Sequence, residues 1–423
     1  MKCPQIVEGS SRILLLQGPV GPFFKELQGR LRSHGWDAQH VTFNAGDRFF
    51  ANRKEVVRFS GTLDEWETWL RFELTQKPPE AIILFGSNRP AHQIARRIAK
   101  LFDVDVISLE EGYLRSGYLS CEWGGNNHHS PLTHWEVTCP PICYTPGVAP
   151  AVEAQRSSFP KMSCWGAVYY LVRDLASKVS DEHLFHKPRE RVLSLAWSWG
   201  VHMLRRVIAR ATEFPIRRFL NRKRNYILVP LQVSSDSQLQ LAARGWSTTR
   251  LIDASLKALL VSGTNQHIVF KLHPLERQSA AIKRLILQKA KQFRLDRRRI
   301  SILHSGRMGD LTQKASGMLV INSTSAFSAL HHDIPIMVLG EAVFRHDDVV
   351  TLGETEADIE AFFSLRHARS QIFVNAFMSE LKVQSLIPGD FYASKGRKVA
   401  FAGIIGKLQQ RQHLRCSPQK VSG

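Results

Sequence analysis

β-like apolar runs alternate with helix-period segments in two separate stretches of the chain, and four of the runs end in short polar blocks. The runs Val104–Leu109, Tyr226–Pro230, His267–Leu272 and Met318–Ile321 lead respectively into Glu110-Glu111-Gly112-Tyr113, Gln232 with Asp236, His273-Pro274, and Asn322-Ser323-Thr324. Alternating β and α patterns predict a parallel sheet with helices on both faces. Open sheets of that kind bind ligands beyond the carboxyl ends of their strands. Polar blocks at four strand ends are therefore read as sites first and as packing second.

Between the two stretches the pattern changes. Residues 130–155 are proline-rich, and residues 160–224 read as helices carrying Trp165, Tyr169, Tyr170, Trp197 and Trp199. The expected fold is α/β and GT-B-like, with two Rossmann-like domains facing a cleft and a helical connector. The expected boundaries are 1–155, a connector at 156–224, a second domain at 225–400, and a C-terminal helix or tail at 401–423. A chain of 423 residues is long enough for two or three cores.

Composition narrows the partners. Lys and Arg outnumber Asp and Glu by 57 to 37, a net charge of +20. This favours anionic partners: nucleic acid, an anionic membrane face, or phosphorylated and carboxylated substrates. Residues 205–224 hold eight basic residues against one acid, Glu213. No nucleic-acid motif accompanies the charge, so none is assigned as partner. The six cysteines form no zinc-type C-x-x-C pair, and no metal is assigned. No stretch reaches the ~20 apolar residues of a spanning helix. The expected location is cytoplasmic, peripheral at a membrane.

Each block carries a chemistry and a plainer alternative. His273, held extended by Pro274, can present a ring N–H to a phosphate or carboxylate, or satisfy backbone. Asn322-Ser323-Thr324 before a helix can offer hydroxyls and free amides to an anion, or simply cap. Asp236 can act as nucleophile or base, or as an N-cap. Glu110 and Glu111 are adjacent in an extended segment and face opposite sides, one toward a ligand and one toward a cation such as Arg115. Gly18-Pro19 turns after the first strand without the spacing of a nucleotide fingerprint. Asn126 sits in a Gly-Gly-Asn-Asn turn.

In order, these blocks resemble the bacterial capsule polysaccharide biosynthesis and export family, with its β-Kdo transferases of the KpsS/KpsC type. The resemblance rests on Gln17-Gly18-Pro19-Val20-Gly21-Pro22, Asn44-Ala45-Gly46-Asp47, Arg89-Pro90-Ala91-His92 and Glu110 to Arg115. It continues through Pro230-Leu231-Gln232, Asp236-Ser237-Gln238, Lys271-Leu272-His273-Pro274, Asn322-Ser323-Thr324 and Ile387 to Tyr392. It departs at Ser116, where the family usually has proline, and at Phe185-His186-Lys187, a reduced form of a His-rich basic stretch. The resemblance implies CMP-Kdo as donor and no cofactor. The acceptor it implies is an anionic lipid, lysophosphatidylglycerol or a Kdo-primed lipid, at the cytoplasmic surface of the inner membrane. The capsule assembly and export machinery is a further partner class. The reaction it implies is retaining. Asp236 takes the nucleophile position, and Glu110 or Glu111 an acid/base or supporting one. His273, Pro274, Lys271, Asn322, Ser323, Thr324 and Gln232 take donor-side positions. Gly18, Pro19, Arg89, His92, Arg115 and Asn126 take acceptor-side positions in the first domain. The alternatives are a non-enzymatic capsule assembly or export factor and a transferase of another nucleotide sugar. Trp197, Trp199, Met203 and Leu204 beside the arginines of 205–224 are read as a membrane-facing element, or as interdomain core above a solvated basic face.

Overall fold

The computed structural model describes residues 11–114, 117–136, 159–185, 188–189, 200–201, 207–222, 225–234, 236–262 and 266–416. In chain order the elements begin β1 (Arg12–Leu16), α1 (Phe23–Ser33), β2 (Asp37–Thr42), α2 (Ala45–Phe50), β3 (Val56–Arg58), α3 (Leu63–Gln76), β4 (Ala81–Phe85), α4 (Pro90–Leu101), β5 (Asp105–Glu111) and β6 (Tyr118–Trp123). Next come α5 (Phe159–Ala176), α6 (Phe214–Arg222), β7 (Tyr226–Pro230), α7 (Ser237–Leu241), α8 (Thr248–Val261), β8 (His267–Lys271), α9 (Ser279–Gln292) and β9 (Ile300–Leu303). The chain ends with α10 (Met308–Thr312), β10 (Gly317–Val320), α11 (Ala326–His331), β11 (Ile336–Val338), β12 (Thr351–Leu352), α12 (Glu356–Ser364), α13 (Gln371–Glu380), β13 (Leu386–Pro388) and α14 (Ser394–Cys416).

These elements form two Rossmann-like α/β units. The first has the sheet order β13-β6-β5-β4-β1-β2-β3, and the second β12-β11-β10-β7-β8-β9. Strands β1 to β5 run parallel, and so do β7 to β12. Each sheet reverses its winding once, between β1 and β4 in unit 1 and between β7 and β10 in unit 2. Those two gaps are the topological switch points, where open sheets leave a crevice for ligands.

The sequence dictates the layering. Successive strand residues face opposite sides, so β1 sends Ile13 and Leu15 to one core and Leu14 and Leu16 to the other. The first core is closed by Phe23, Leu27 and Leu31 of α1, the second by Trp66 and Leu70 of α3 with Ala95 and Ile98 of α4. Strands buried on both faces read as unbroken apolar runs. In unit 2, Ile227 and Val229 pack with Ile268 and Phe270 beneath α8, α9 and α12. A capping box starts α3, with Thr62 and Glu65 bonded reciprocally.

Two boundaries differ from expectation. Unit 1 takes back the chain from Leu381 onward, whereas the second domain was expected to run to residue 400. β13 pairs antiparallel with β6, and α14 lays Ala400, Phe401, Ile404 and Leu408 on the first unit's core. That apolar stripe at helical spacing needs a partner face, and α14 stays helical to Cys416. The connector is also divided: α5 belongs to unit 1 and α6 to unit 2. Trp197, Trp199, Met203, Leu204, Arg205, Arg206, Lys223, Arg224 and Arg115 lie outside the described residues. Among the described residues no helix is long and apolar enough to cross a membrane.

Candidate functional site

At the unit 1 switch point, Arg89 follows β4 and reaches across to the end of β1. Its Nη1 donates to the carbonyls of Gln17 at 3.1 Å and Gly18 at 3.3 Å. The guanidinium also lies 5.0 Å from the centre of the Phe85 ring. Gln17 has a φ of 35°, a left-handed backbone that a non-glycine residue adopts only under constraint. The constraint is visible. Its Nε2 donates to Asp47 Oδ2 at 3.2 Å.

Asp47 is the centre of a buried cluster that carries the Asn-Ala-Gly-Asp block. Its Oδ2 also accepts from the Phe43 N–H at 3.0 Å and Asn44 Nδ2 at 2.9 Å. Its Oδ1 accepts from the Tyr169 hydroxyl at 2.7 Å. Asn44 caps α2 by accepting from the Asp47 N–H. Burial pushes the Asp47 carboxyl up, opposed by these bonds and by Arg89. Gly46 is obligatory, because a Cβ there would sit 2.7 Å from the Tyr169 carbonyl oxygen. In the sequence Asp47 stands out only as the last residue of the Asn-Ala-Gly-Asp block, and Tyr169 only as one of the aromatics of 160–224.

A second buried carboxylate was missed altogether. Glu122, on β6, accepts from Tyr113 Oη at 2.6 Å, Ser385 Oγ at 2.7 Å, Asn126 Nδ2 at 3.1 Å and the Ser130 hydroxyl. Burial raises its pKa against those four bonds. Tyr113 of the Glu-Glu-Gly-Tyr block is thus an anchor. At the end of β5, Glu110 Oε2 accepts from Asn127 Nδ2 at 3.0 Å, while Glu111 accepts from the Tyr392 hydroxyl. The Ile387 to Tyr392 block is brought to that strand end by the returning chain. Glu110 is half-buried and Glu111 exposed.

Two acceptor-side expectations fail on burial. Asn126 is enclosed, its amide nitrogen bonded to Ser108 O, Ser120 Oγ and Glu122, and its Oδ1 accepting from Ser87. His92 is fully buried with Nδ1 2.8 Å from Gly86 O, and burial with the nearby Arg89 lowers its pKa to about 3. Both hold loops at the strand ends. Gly18, Pro19 and Arg89 stay at the switch point.

In unit 2 the switch point is spanned by an amide pair. Gln232, two residues past β7, donates from Nε2 to Oδ1 of Asn322, two residues past β10, at 2.9 Å. The same nitrogen lies 3.3 Å from Asp236 Oδ2. Asp236 Oδ1 accepts from the Gln238 N–H at 2.9 Å, so this carboxylate caps α7. Asn322 Nδ2 donates to the carbonyls of Gln238 and Ala242. Gln232, Asp236 and Asn322 therefore form one polar group, in which Asn322 is buried and Gln232 and Asp236 are half-buried. At the end of β8, His273 Nδ1 accepts from the Leu275 N–H at 3.1 Å, which puts the ring proton on Nε2. Pro274 lies in the exposed turn beside it.

Lys271 points into the strand layer. It is buried, and its Nζ donates to the carbonyls of Leu272 and His304 at 2.9 and 3.0 Å. The start of α11 also differs from an open anion-binding helix end. The amides of Ser325, Ala326 and Phe327 are spent on Ser323 Oγ, Ser323 O and Thr324 O. The Ser323 hydroxyl in turn donates to Ser325 Oγ at 3.1 Å.

Glu213, the one acid in the basic stretch, turns inward. It accepts from the His304 N–H and Nδ1 at 2.9 and 3.1 Å, and from the Ser305 N–H and Oγ at 2.8 and 2.6 Å. Burial raises the carboxyl, but these bonds outweigh it and hold its pKa down to about 2. Its stabilisation is therefore full above the ordinary carboxylate range and is lost as pH falls toward about 2. Glu213→Gln is expected to cost about 1.5–3 kcal/mol at neutral pH. The cost should shrink in urea melts as pH drops below the carboxylate range; a pH-independent cost contradicts the assignment.

Among the described residues no cluster of three or more His, Cys, Asp or Glu residues could hold a metal ion. The family described as "Capsule polysaccharide biosynthesis protein" matches residues 80–392. The "Capsule polysaccharide export protein KpsS" of Escherichia coli is 30% identical over 353 residues, covering 80% of this chain and 87% of that protein. The "Capsule polysaccharide modification protein LipB" of Neisseria meningitidis serogroup B is 28% identical over 378 residues, covering 85% and 90%. Among solved structures, the KpsC β-Kdo 2,7 transferase of Thermosulfurimonas dismutans aligns over 94% of this chain and 99% of its own, with a TM-score of 0.41 and 12% identity. With three quarters of its length inside the family match, this chain belongs to the capsule polysaccharide biosynthesis protein family.

Proposed function

We propose that the protein is a glycosyltransferase that moves Kdo from CMP-Kdo to an anionic lipid acceptor, lysophosphatidylglycerol or a Kdo-primed lipid, at the cytoplasmic face of a bacterial inner membrane. The observation that carries the reading is the repeated arrangement at the switch points. Arg89 is bonded across one to Gln17 and Gly18, and Gln232 across the other to Asn322. Family membership gives the pathway, and open α/β sheets use such crevices for nucleotides and sugars.

The donor is assigned to unit 2. CMP-Kdo carries a phosphodiester and a carboxylate, which call for donors such as His273 Nε2–H and the Ser323 and Thr324 hydroxyls. Asp236 is the nucleophile. Its carboxylate attacks the anomeric carbon, the bond to the phosphate oxygen breaks, and CMP leaves with the electron pair. An acceptor hydroxyl then attacks the same carbon, the bond to Asp236 breaks, and Glu110 or Glu111 takes the hydroxyl proton. Two displacements retain the β configuration. Arg89 supplies positive charge on the acceptor side. A single-phosphate donor requires no metal to bridge phosphates.

Titration of CMP and CMP-Kdo into the purified chain tests the reading, together with CMP release in EDTA. Binding of both and chelation-resistant release are expected. A chain that binds neither is an assembly or export factor, and release abolished by EDTA overturns the metal-free step.

A further inference from the structure

Residues 207–212 are helical and continue into α6. The Glu213 N–H donates to Ala209 O and the Arg217 N–H to Glu213 O, so the backbone ladder runs through the join. Ala209, Glu213 and Leu220 are buried, which fixes the inward stripe. The opposite stripe is 207, 211, 214, 218 and 222, at helical spacing. On it Val207 is 61% exposed and Phe214 58%, with Ile208 beside them at 51%. Arg218 and Arg222 complete the stripe, Arg210 flanks it, and all three are exposed. No acid balances them in this stretch, since Glu213 is committed to His304 and Ser305.

We infer that this face is a docking surface for an anionic lipid bilayer. Large apolar side chains held in water between arginines match the two requirements of interfacial binding, apolar burial and attraction to anionic headgroups. Nucleic acid would use the arginines but gain nothing from Val207, Ile208 and Phe214. The inference deepens the membrane location in the proposed function by naming the face that binds; flotation uses no donor or acceptor substrate, so its failure leaves the transfer reaction standing.

The test is flotation of the full chain with phosphatidylcholine vesicles made with or without phosphatidylglycerol. Flotation is expected only with the anionic vesicles and is expected to be released at about 0.5 M salt. Arg218→Gln with Arg222→Gln should weaken partitioning about thirtyfold, from about 1 kcal/mol per charge near an anionic surface. Val207→Ser with Phe214→Ser should weaken it by about tenfold at constant salt dependence. Both double variants change exposed positions, and both should keep the wild-type melting temperature. Absence of wild-type flotation at low salt overturns the inference, as does undiminished flotation of either variant. Binding to DNA that loses affinity with the arginines but not with Val207 and Phe214, in a chain that does not float, also overturns it and assigns the face to nucleic acid.

Discussion

Asp236→Asn is expected to fold like the wild type and to lose Kdo transfer by about a thousandfold or more. The substitution separates the two things this carboxylate can do. As an N-cap, Asp236 accepts the Gln238 N–H through Oδ1, and asparagine caps a helix equally well. As a nucleophile, Asp236 must supply a carboxylate oxygen, which asparagine lacks. Asp236→Ala is the control: it should also cost about 1 kcal/mol of stability through the lost cap. CMP binding should survive both changes. An Asp236→Asn enzyme with wild-type turnover would leave Asp236 as a cap alone and move the nucleophile assignment to Glu110 or Glu111.

The largest stability effect is expected at Glu122. Four donors from Tyr113, Ser385, Asn126 and Ser130 converge on its two oxygens. Glu122→Ala strands those donors in a buried space and should cost about 3–5 kcal/mol. It should also loosen the return of the chain at Ser385, so β13 amides should exchange faster with solvent. The pH dependence runs opposite to that of Glu213. Burial raises the folded-state pKa of Glu122. Its contribution is full below the ordinary carboxylate range and declines as pH rises through that raised value. The cost of Glu122→Ala in denaturant melts should therefore fall with rising pH, whereas the cost of Glu213→Gln should rise. A Glu122→Ala protein with wild-type stability would contradict the anchoring role.

The two sheets were legible because their strands are unbroken apolar runs. Tyr226–Pro230 forms with the bounds read from sequence. Asp236 and Gln232 were also singled out in advance, and Asn322 with them, since all three follow such runs. What the sequence hid is long-range. Nothing near residue 385 announces that Ser385 will meet Glu122, more than two hundred residues earlier. A carboxylate buried among neutral donors leaves no charge partner to look for, and Glu122 is such a carboxylate. His92 and Asn126 were misjudged for a related reason. Polar residues at strand ends can serve a ligand or hold loops together, and only burial distinguishes the two. Lys271 followed the same course: an apolar strand carried it inward, where two carbonyls accept its protons.

The most direct measurement is a mass spectrum of the lipid product formed from CMP-Kdo and lysophosphatidylglycerol by the purified protein. The predicted result is acceptor lipid heavier by Kdo, in β linkage, with an equal amount of CMP released. Unmodified lipid and unconsumed CMP-Kdo, from protein that is folded and vesicle-bound, would contradict the account.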